Sequence, residues 1–429
     1  MIIKFSIQNF GPIKDKQTLS FEADKSTHLE DAYIINVGKT RLLKLALIYG
    51  ANASGKTTIL KALDFLRELV LYPEDKKTDS LDFEPFLFDA KTPNESSVLS
   101  IDFFQKNIKY SYEVEFVKKA IVREELNFYN PRKTNLYKRT TNMSNQFTEI
   151  SFGSTIKIDK SFEKSLAANT LWNNTVLGGF LKTNIDFKEL QNVIEWFRSY
   201  LSPIISTRTS LEDYVTSFIN LGEIDKKGVI GVLKKADFHI SDIKLYEEEE
   251  EMPDFVYEFL KKQVEEDKIE GADIQKKRKI TNLKFEHTVN QTSYSLPFDQ
   301  ESSGTRRYYG FAGLLTQLLA KPGLLSIDEL ESSLHPDLYE HFLISFLMNS
   351  KESQIIASTH YRDILNNKSI FRNDAIWFTD KNENCSTELY SLADFDSSVV
   401  RDTSNVLNAY KSGKLGATPN TGDYYIDRE

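Results

Sequence analysis

Residues Gly50-Ala51-Asn52-Ala53-Ser54-Gly55-Lys56-Thr57 fit G-x-x-x-x-G-K-[ST], the phosphate-binding P-loop. The flanks narrow the fold further. Leu43 to Tyr49 (LKLALIY) is an apolar run that reads as a buried strand. From Thr58 to Val70, Ile59, Leu60, Leu63, Leu66, Leu69 and Val70 recur at helical spacing. Strand, glycine loop and helix together build an anion site, because loop amides and the helix N-terminus aim partial positive charge at a phosphate. Gly50 to Thr58 would cradle the phosphates. Lys56 would reach the β- and γ-phosphates, and Thr57 would ligate Mg²⁺.

A chain of 429 residues has room for two or three domains. It is 40% hydrophobic and 27% charged, an ordinary balance for a globular protein. A net charge of −9 argues against a coat of nucleic acid, although local basic patches stay open. The single cysteine, Cys385, excludes an intrachain disulfide and a clustered cysteine metal site, and it fits a reducing cytoplasm. The start MIIKFSIQNF has no basic stretch before an apolar core, so no signal peptide is expected. No apolar run approaches the ~20 residues that span a bilayer, so no membrane-spanning segment is expected; the sequence itself neither shows nor excludes a membrane partner.

Residues 2–8 alternate as a half-buried strand, Asn9-Phe10-Gly11-Pro12 is a turn, and residues 17–22 complete a hairpin. Val98–Phe104, Tyr110–Val117 and Ile121–Tyr129 read as three antiparallel strands in the same sheet. Helical spacing follows at Ser161–Phe180, Phe187–Tyr200, Leu211–Leu221 and Asp254–Lys268. The acidic run Glu247–Glu251 reads as a solvated linker. The basic run Lys276-Lys277-Arg278-Lys279 reads either as a solvated strand start or as a phosphate-backbone contact. Strands are expected at 280–287 and 293–298.

From residue 300 the pattern alternates again. A helix over 304–319, a strand over 324–327, a helix over 336–348, a strand over 354–357, a short helix over 361–366 and a strand over 375–379 argue a parallel sheet. The P-loop strand must join it. The expected division is therefore 1–130, with hairpin, P-loop and antiparallel strands; 131–290, a mostly helical insertion; and 291–429, which completes the sheet.

Leu324-Leu325-Ser326-Ile327-Asp328-Glu329 is an apolar strand ending in two acids. Asp328 would hold Mg²⁺ through water, and Glu329 would act as general base on the attacking water. Two acids that merely cap the next helix are the plainer alternative. Gln354 to His360 (QIIASTH) places a histidine at a strand's carboxyl end, the ligand edge of an α/β sheet. His360 would sense the γ-phosphate. Ser302, Ser303 and Gly304 open the helix that runs to Leu319, with Ser302 as N-cap and free amides around Gly304. One chain carries one P-loop. A second anion-binding helix start therefore suggests a grip on nucleotide held by another copy, with an ordinary capped helix as the alternative.

In this order the motifs resemble an ABC-type ATPase head: P-loop, Ser-Ser-Gly-Thr (302–305), Leu-Leu-Ser-Ile-Asp-Glu, Ser-Ser-Leu-His (332–335) and Ala-Ser-Thr-His. More narrowly, the chain resembles the stand-alone RecF/SMC-like AAA-family ATPases of bacterial anti-phage, or abortive-infection, systems. The resemblance implies that Ser302–Thr305 are the signature motif, Ser332–His335 the D-loop and His360 the switch histidine. The opening residues 2–13 resemble that family's first hairpin. Ala409 to Asn420 (AYKSGKLGATPN) resembles the tail of ATPases encoded beside RloB-like nucleases, the AbiL type. No glutamine stands where a Q-loop is expected; Gln105 is the only one between 80 and 130.

The fold class implied is α/β: an ABC-type P-loop ATPase head, with a split, mostly parallel sheet, an antiparallel β-subdomain and a largely helical insertion. The implied function is ATP hydrolysis with ATP and Mg²⁺. Two copies would close head to head and control a separately encoded effector nuclease in the cytoplasm during phage infection. Two other classes stay open. A RecF-like DNA-repair ATPase could bind nucleic acid through Lys276–Lys279 and through Arg132, Lys133, Lys138 and Arg139. A self-contained nuclease would need a further domain, yet only 100 residues follow Glu329.

Overall fold

The computed structural model describes residues 1–251, 253–255, 257–258, 276–395 and 406–419. They fall into two compact units. The first comprises Met1–Arg208, Lys321–Ser332 and Leu343–Glu429; the second comprises Thr209–Ala320 and Ser333–Phe342.

The first unit opens with β1 (Ile2–Gln8), β2 (Gln17–Ser20), the short pair β3 (Ile34–Val37) and β4 (Thr40–Leu43), and β5 (Leu45–Gly50). Every residue of β5 is buried. An unbroken apolar run of this kind belongs to a strand covered on both faces. The helix Lys56–Leu71 follows, burying Ile59, Leu60, Leu63, Leu66 and Val70 on one face. Then come β6 (Ser97–Gln105), β7 (Ile108–Val117), β8 (Ala120–Tyr129), β9 (Lys133–Asn142) and β10 (Phe147–Phe152). With the first hairpin they form a seven-stranded antiparallel sheet, in the order β10-β9-β8-β7-β6-β1-β2.

This sheet is larger than the sequence suggests. The sequence pattern puts residues 131–290 in a mostly helical insertion, but Lys133–Asn142 and Phe147–Phe152 are strands. Arg139 hides the alternation: it points inward from β9 and is fully buried. Its guanidinium donates to the carbonyls of Ile121 (2.7 Å) and Trp172 (3.0 Å) and to Thr148 Oγ1 (3.2 Å). Beside it the buried Glu124 accepts from Tyr112 Oη (2.9 Å), Tyr137 Oη (2.6 Å) and the Val176 amide (2.7 Å). A polar inward position reads as solvent-facing in any period-2 scan.

Helices do follow at Lys160–Asn169, Val176–Leu181 and Lys188–Ser199. The single helix expected over 161–180 is broken between 170 and 175. There Asn173 and Asn174 are buried and donate to the backbone carbonyls of Lys76, Asp79 and Glu74. The Thr175 hydroxyl starts the next helix by accepting from the Gly178 amide.

The second unit holds helices Leu211–Asn220 and Lys226–Lys235, the antiparallel strands β11 (Ile240–Glu251), β12 (Lys277–Val289) and β13 (Thr292–Pro297), and the helix Ser303–Ala320. Gly310 and Gly313 let that last helix close on Leu211–Asn220. A Cβ at Gly310 would stand 2.4 Å from Leu211 Cβ, and one at Gly313 would stand 2.3 Å from a Val215 methyl. The acidic run is no linker. It ends β11, and its residues register opposite the start of β12, where Lys277 pairs with Glu251 at 3.2 Å. Opposite charge across the ladder lets two highly charged runs form strands. Most of the helix expected over 254–268 lies outside the described residues.

The chain returns to the first unit with β14 (Leu324–Ile327), β15 (Gln354–Ser358), β16 (Ile376–Lys381) and β17 (Thr387–Ser391); the helix Pro336–Asn349 lies between β14 and β15. The five-stranded sheet has the order β14-β15-β5-β16-β17, with the first four strands parallel and β17 antiparallel. Parallel strands end on one edge, so the residues after β5, β14, β15 and β16 converge there.

Candidate nucleotide-binding site

At that edge β5 runs into the glycine loop. The helix Lys56–Leu71 starts at Gly55, whose φ of +108° suits glycine, and no side chain caps its first turn. The first amides are therefore left for an anion. Asn52 and Ala53 are exposed, Ala51, Thr57 and Thr58 half-buried, and Ser54 and Lys56 buried. The loop is held from outside its own sequence. Ser54 Oγ shares a hydrogen bond with Thr379 Oγ1 at the end of β16 (2.6 Å), and Thr387 Oγ1 donates to the Ser54 carbonyl (2.8 Å). A Cβ on Gly11 of the first turn would stand 3.1 Å from the Thr58 methyl.

The Lys56 ammonium donates to the carbonyls of Gly50 (2.9 Å) and Ala51 (3.0 Å). Burial lowers its pKa, and Asp328, Glu329 and Glu331 oppose that shift. Thr57 Oγ1 lies 3.0 Å from each carboxylate oxygen of Asp328. Motifs 271 residues apart in the chain thus meet at one point. Hard oxygen donors of this kind suit Mg²⁺, which takes one or two protein groups and completes its shell with phosphate and water. Among the described residues no group of three or more His, Cys, Asp and Glu could hold a metal by itself.

Glu329 is exposed and adopts φ +50°, an uncommon conformation for a non-glycine residue. His360 is exposed at the end of β15, and its amide donates to Glu331 Oε1 (2.5 Å). Desolvation of the ring lowers the His360 pKa, Lys56 lowers it further, and Glu331, Glu329 and Asp328 act against both. A neutral imidazole keeps one N–H to donate.

Ser302, Ser303 and Gly304 belong to the second unit. Ser302 Oγ accepts from the Thr305 amide (3.0 Å), which makes it the N-cap of the helix Ser303–Ala320. Ser302 and Ser303 are exposed. Just upstream, His287 Nε2 and Glu301 Oε1 are 2.7 Å apart.

Residues 45–361 match a protein-family profile described as "AAA domain, putative AbiEii toxin, Type IV TA system". The chain belongs to this AAA family. It is an AAA-family ATPase with an α/β P-loop fold. Solved structures similar to it include an SMC head bound to the C-winged helix domain of ScpA, at 13% identity and TM-score 0.46, covering 91% of this chain and 97% of that one. The SMC head domain from Thermotoga maritima matches at 12% identity and TM-score 0.41, covering 91% and 98%. An Smc head with an extended coiled coil, bound to the C-terminal domain of ScpA derived from Pyrococcus furiosus, matches at 12% and TM-score 0.38, covering 96% and 98%. No curated protein matches the chain.

Several residues of this AAA-family site carry no sequence signal. Thr379 and Thr387 brace the P-loop from strands more than 300 residues away. Only the fold juxtaposes them. Among the described residues no helix is long and apolar enough to cross a membrane.

Proposed function

We propose that the protein hydrolyses ATP to ADP and phosphate and closes head to head on two nucleotides. The observation that carries this reading is the meeting of Thr57 with Asp328 at 3.0 Å, on the sheet edge that also presents Glu329 and His360. Gly50 to Thr58 cradle the phosphates with backbone amides. Lys56 leaves the carbonyls of Gly50 and Ala51 and turns to the β- and γ-phosphates. Thr57 and Asp328 would hold Mg²⁺, Asp328 through water, and the ion would neutralise charge developing on the phosphates. Glu329 orients and deprotonates the attacking water. His360, neutral, donates to a γ-phosphate oxygen.

Ser302, Ser303 and Gly304 of one copy complete the site of the other. Support comes from the exposed, capped helix start, whose amides suit an anion and whose own chain supplies a single P-loop. In this division of labour residues 1–130 and 291–429 make the ATPase head, with strands at 133–152 added to its antiparallel sheet, and much of the remainder up to 290 is inserted between them. The family description and the tail Ala409–Asn420, whose last residue lies outside the described set, support a role in phage defence in the cytoplasm. ATP-driven closure there switches a separately encoded, RloB-like nuclease.

The two other readings have less support. Arg139 is buried, Lys138 lies 3.8 Å from Glu125, and Lys276 and Lys277 pair with Asp254 and Glu251. Four of the basic residues that a DNA-binding head would use are thus already engaged. After Glu329 the described residues go largely into β15, β16, β17 and the helices between them, which leaves no separate nuclease domain among them.

Two variants test the proposal. Lys56→Ala should abolish ATP binding. Ser302→Arg should keep ATP binding in the monomer and lose both ATP-dependent association and turnover. Turnover by Lys56→Ala at the wild-type rate would sink the proposal.

A further inference from the structure

Ser358 is wholly buried at the last position of β15, two residues before His360. Its hydroxyl has one hydrogen to give and gives it to Asp328 Oδ1 at 2.5 Å. The same oxygen accepts the backbone N–H of Glu329 at 2.8 Å. Its carbonyl accepts the Leu330 amide at 3.1 Å. One side chain therefore grips two consecutive acids, the first by its carboxylate and the second by its peptide.

Both acids need the help. Asp328 accepts from Thr57 as well, so its carboxylate is fixed from two sides. When the Thr57 hydroxyl is taken up by a metal, Ser358 is the protein donor that still sets the carboxylate's rotation. Glu329 sits in the left-handed region, φ +50°, which a non-glycine residue holds only where the surroundings fix it. Ser358 fixes its amide, and the Ser332 amide, donating at 2.9 Å, fixes its carbonyl. The left-handed turn decides where the Glu329 side chain leaves the sheet edge.

We propose that Ser358 is a positioning residue for hydrolysis: it sets the Asp328 carboxylate and the Glu329 peptide together, from the strand that delivers His360. This rests on the ATPase reading above. Alanine removes the donor from Asp328 and the acceptor from the Glu329 amide, whereas threonine keeps both.

The test compares wild type, Ser358→Ala and Ser358→Thr in steady-state ATP turnover and ATP binding. Losing an outer-shell partner of a metal ligand lowers activity about 10- to 100-fold. The expected result is a loss of that size in kcat for Ser358→Ala, ATP affinity within about threefold of wild type, and recovery in Ser358→Thr. Wild-type kcat in Ser358→Ala, or equal loss in both variants, overturns the proposal. A crystal structure of Ser358→Ala gives a second reading that needs no turnover. Glu329 should leave positive φ and the Asp328 carboxylate should rotate; both unchanged contradicts the assignment. Absent turnover in the wild type would defeat the ATPase reading, and the structure of the variant would still decide the role of Ser358.

Discussion

Gly50 is the first residue of the glycine loop and the last of β5, paired in parallel register with Thr379 of β16. Its φ of +159° is close to extended, so the demand for glycine here is steric rather than conformational. A Cβ at this position would lie 2.4 Å from Thr379 Oγ1, 2.5 Å from Ser54 Oγ and 2.5 Å from the Thr379 carbonyl oxygen. Ordinary contact begins at 3.4 Å, so each neighbour must retreat by about an ångström. The two hydroxyls can rotate, but they bond to each other across the loop. The carbonyl moves only with its strand.

Overpacking of this kind costs about 1–3 kcal/mol. For a domain of 150–250 residues each kcal/mol lowers Tm by roughly 2–4 °C. The unit that holds Gly50 is larger than this and shifts less per kcal/mol, so Gly50→Ala should melt below wild type by at most about 12 °C. It should also bind ATP weakly, since the loop is pushed off β16. Gly38→Ala is the control: that glycine has φ +59° and nothing within 4 Å of the added Cβ, so it should lose stability without losing ATP. Differential scanning calorimetry and titration with a fluorescent ATP analogue measure both quantities. A Gly50→Ala protein with wild-type Tm and wild-type ATP affinity would refute the reasoning.

Further consequences follow from other sites. Arg139→Met leaves the buried Glu124 carboxylate without its neighbouring cation and should cost about 3–5 kcal/mol in urea unfolding, with part restored in a Glu124→Leu/Arg139→Met double variant. The His360 pKa lies below its ordinary 6.5, so kcat/KM for ATP, which reports the free enzyme, should hold steady above pH 6.5 and fall only at more acid pH. The unfolded chain takes that proton first, so the stability linked to His360 is kept above pH 6.5 and lost as pH falls from there through the folded-state pKa. Gly416 has φ +63°, and its added Cβ would lie 2.5 Å from Tyr390 Oη and 2.9 Å from Asp380 Oδ2. Gly416→Val should therefore release the tail, seen as faster amide exchange at Ala417, whose N–H donates to Asp380.

The candidate site is legible in the sequence because its residues cluster in short motifs on buried strands. The apolar runs at 43–49 and 324–327 admit one reading once a P-loop stands beside them, and the structure places strands at Leu45–Gly50 and Leu324–Ile327. What fails is legible in physical terms too. β9 is masked by Arg139, a charge on the inward face, and β10 by Thr148, which is buried while Phe147 is exposed. The acidic run looks solvated until its basic partner, tens of residues on, is seen across the ladder. Thr379, Thr387 and Ser358 are common residues whose importance comes from what the sheet brings near them. The signature, D-loop and tail are legible only by resemblance, since a serine before a helix is an ordinary cap.

The central claim is a nucleotide site shared by two copies of the chain. Glu329→Gln keeps the cradle of Gly50–Thr58 and removes the base, so it should hold ATP without turning it over. Light scattering of this variant after size exclusion, with and without ATP and Mg²⁺, is the direct measurement. The account predicts a monomer without nucleotide, a dimer with it, and a monomer again when Ser302→Arg is added. A Glu329→Gln protein that binds ATP and remains monomeric would contradict it.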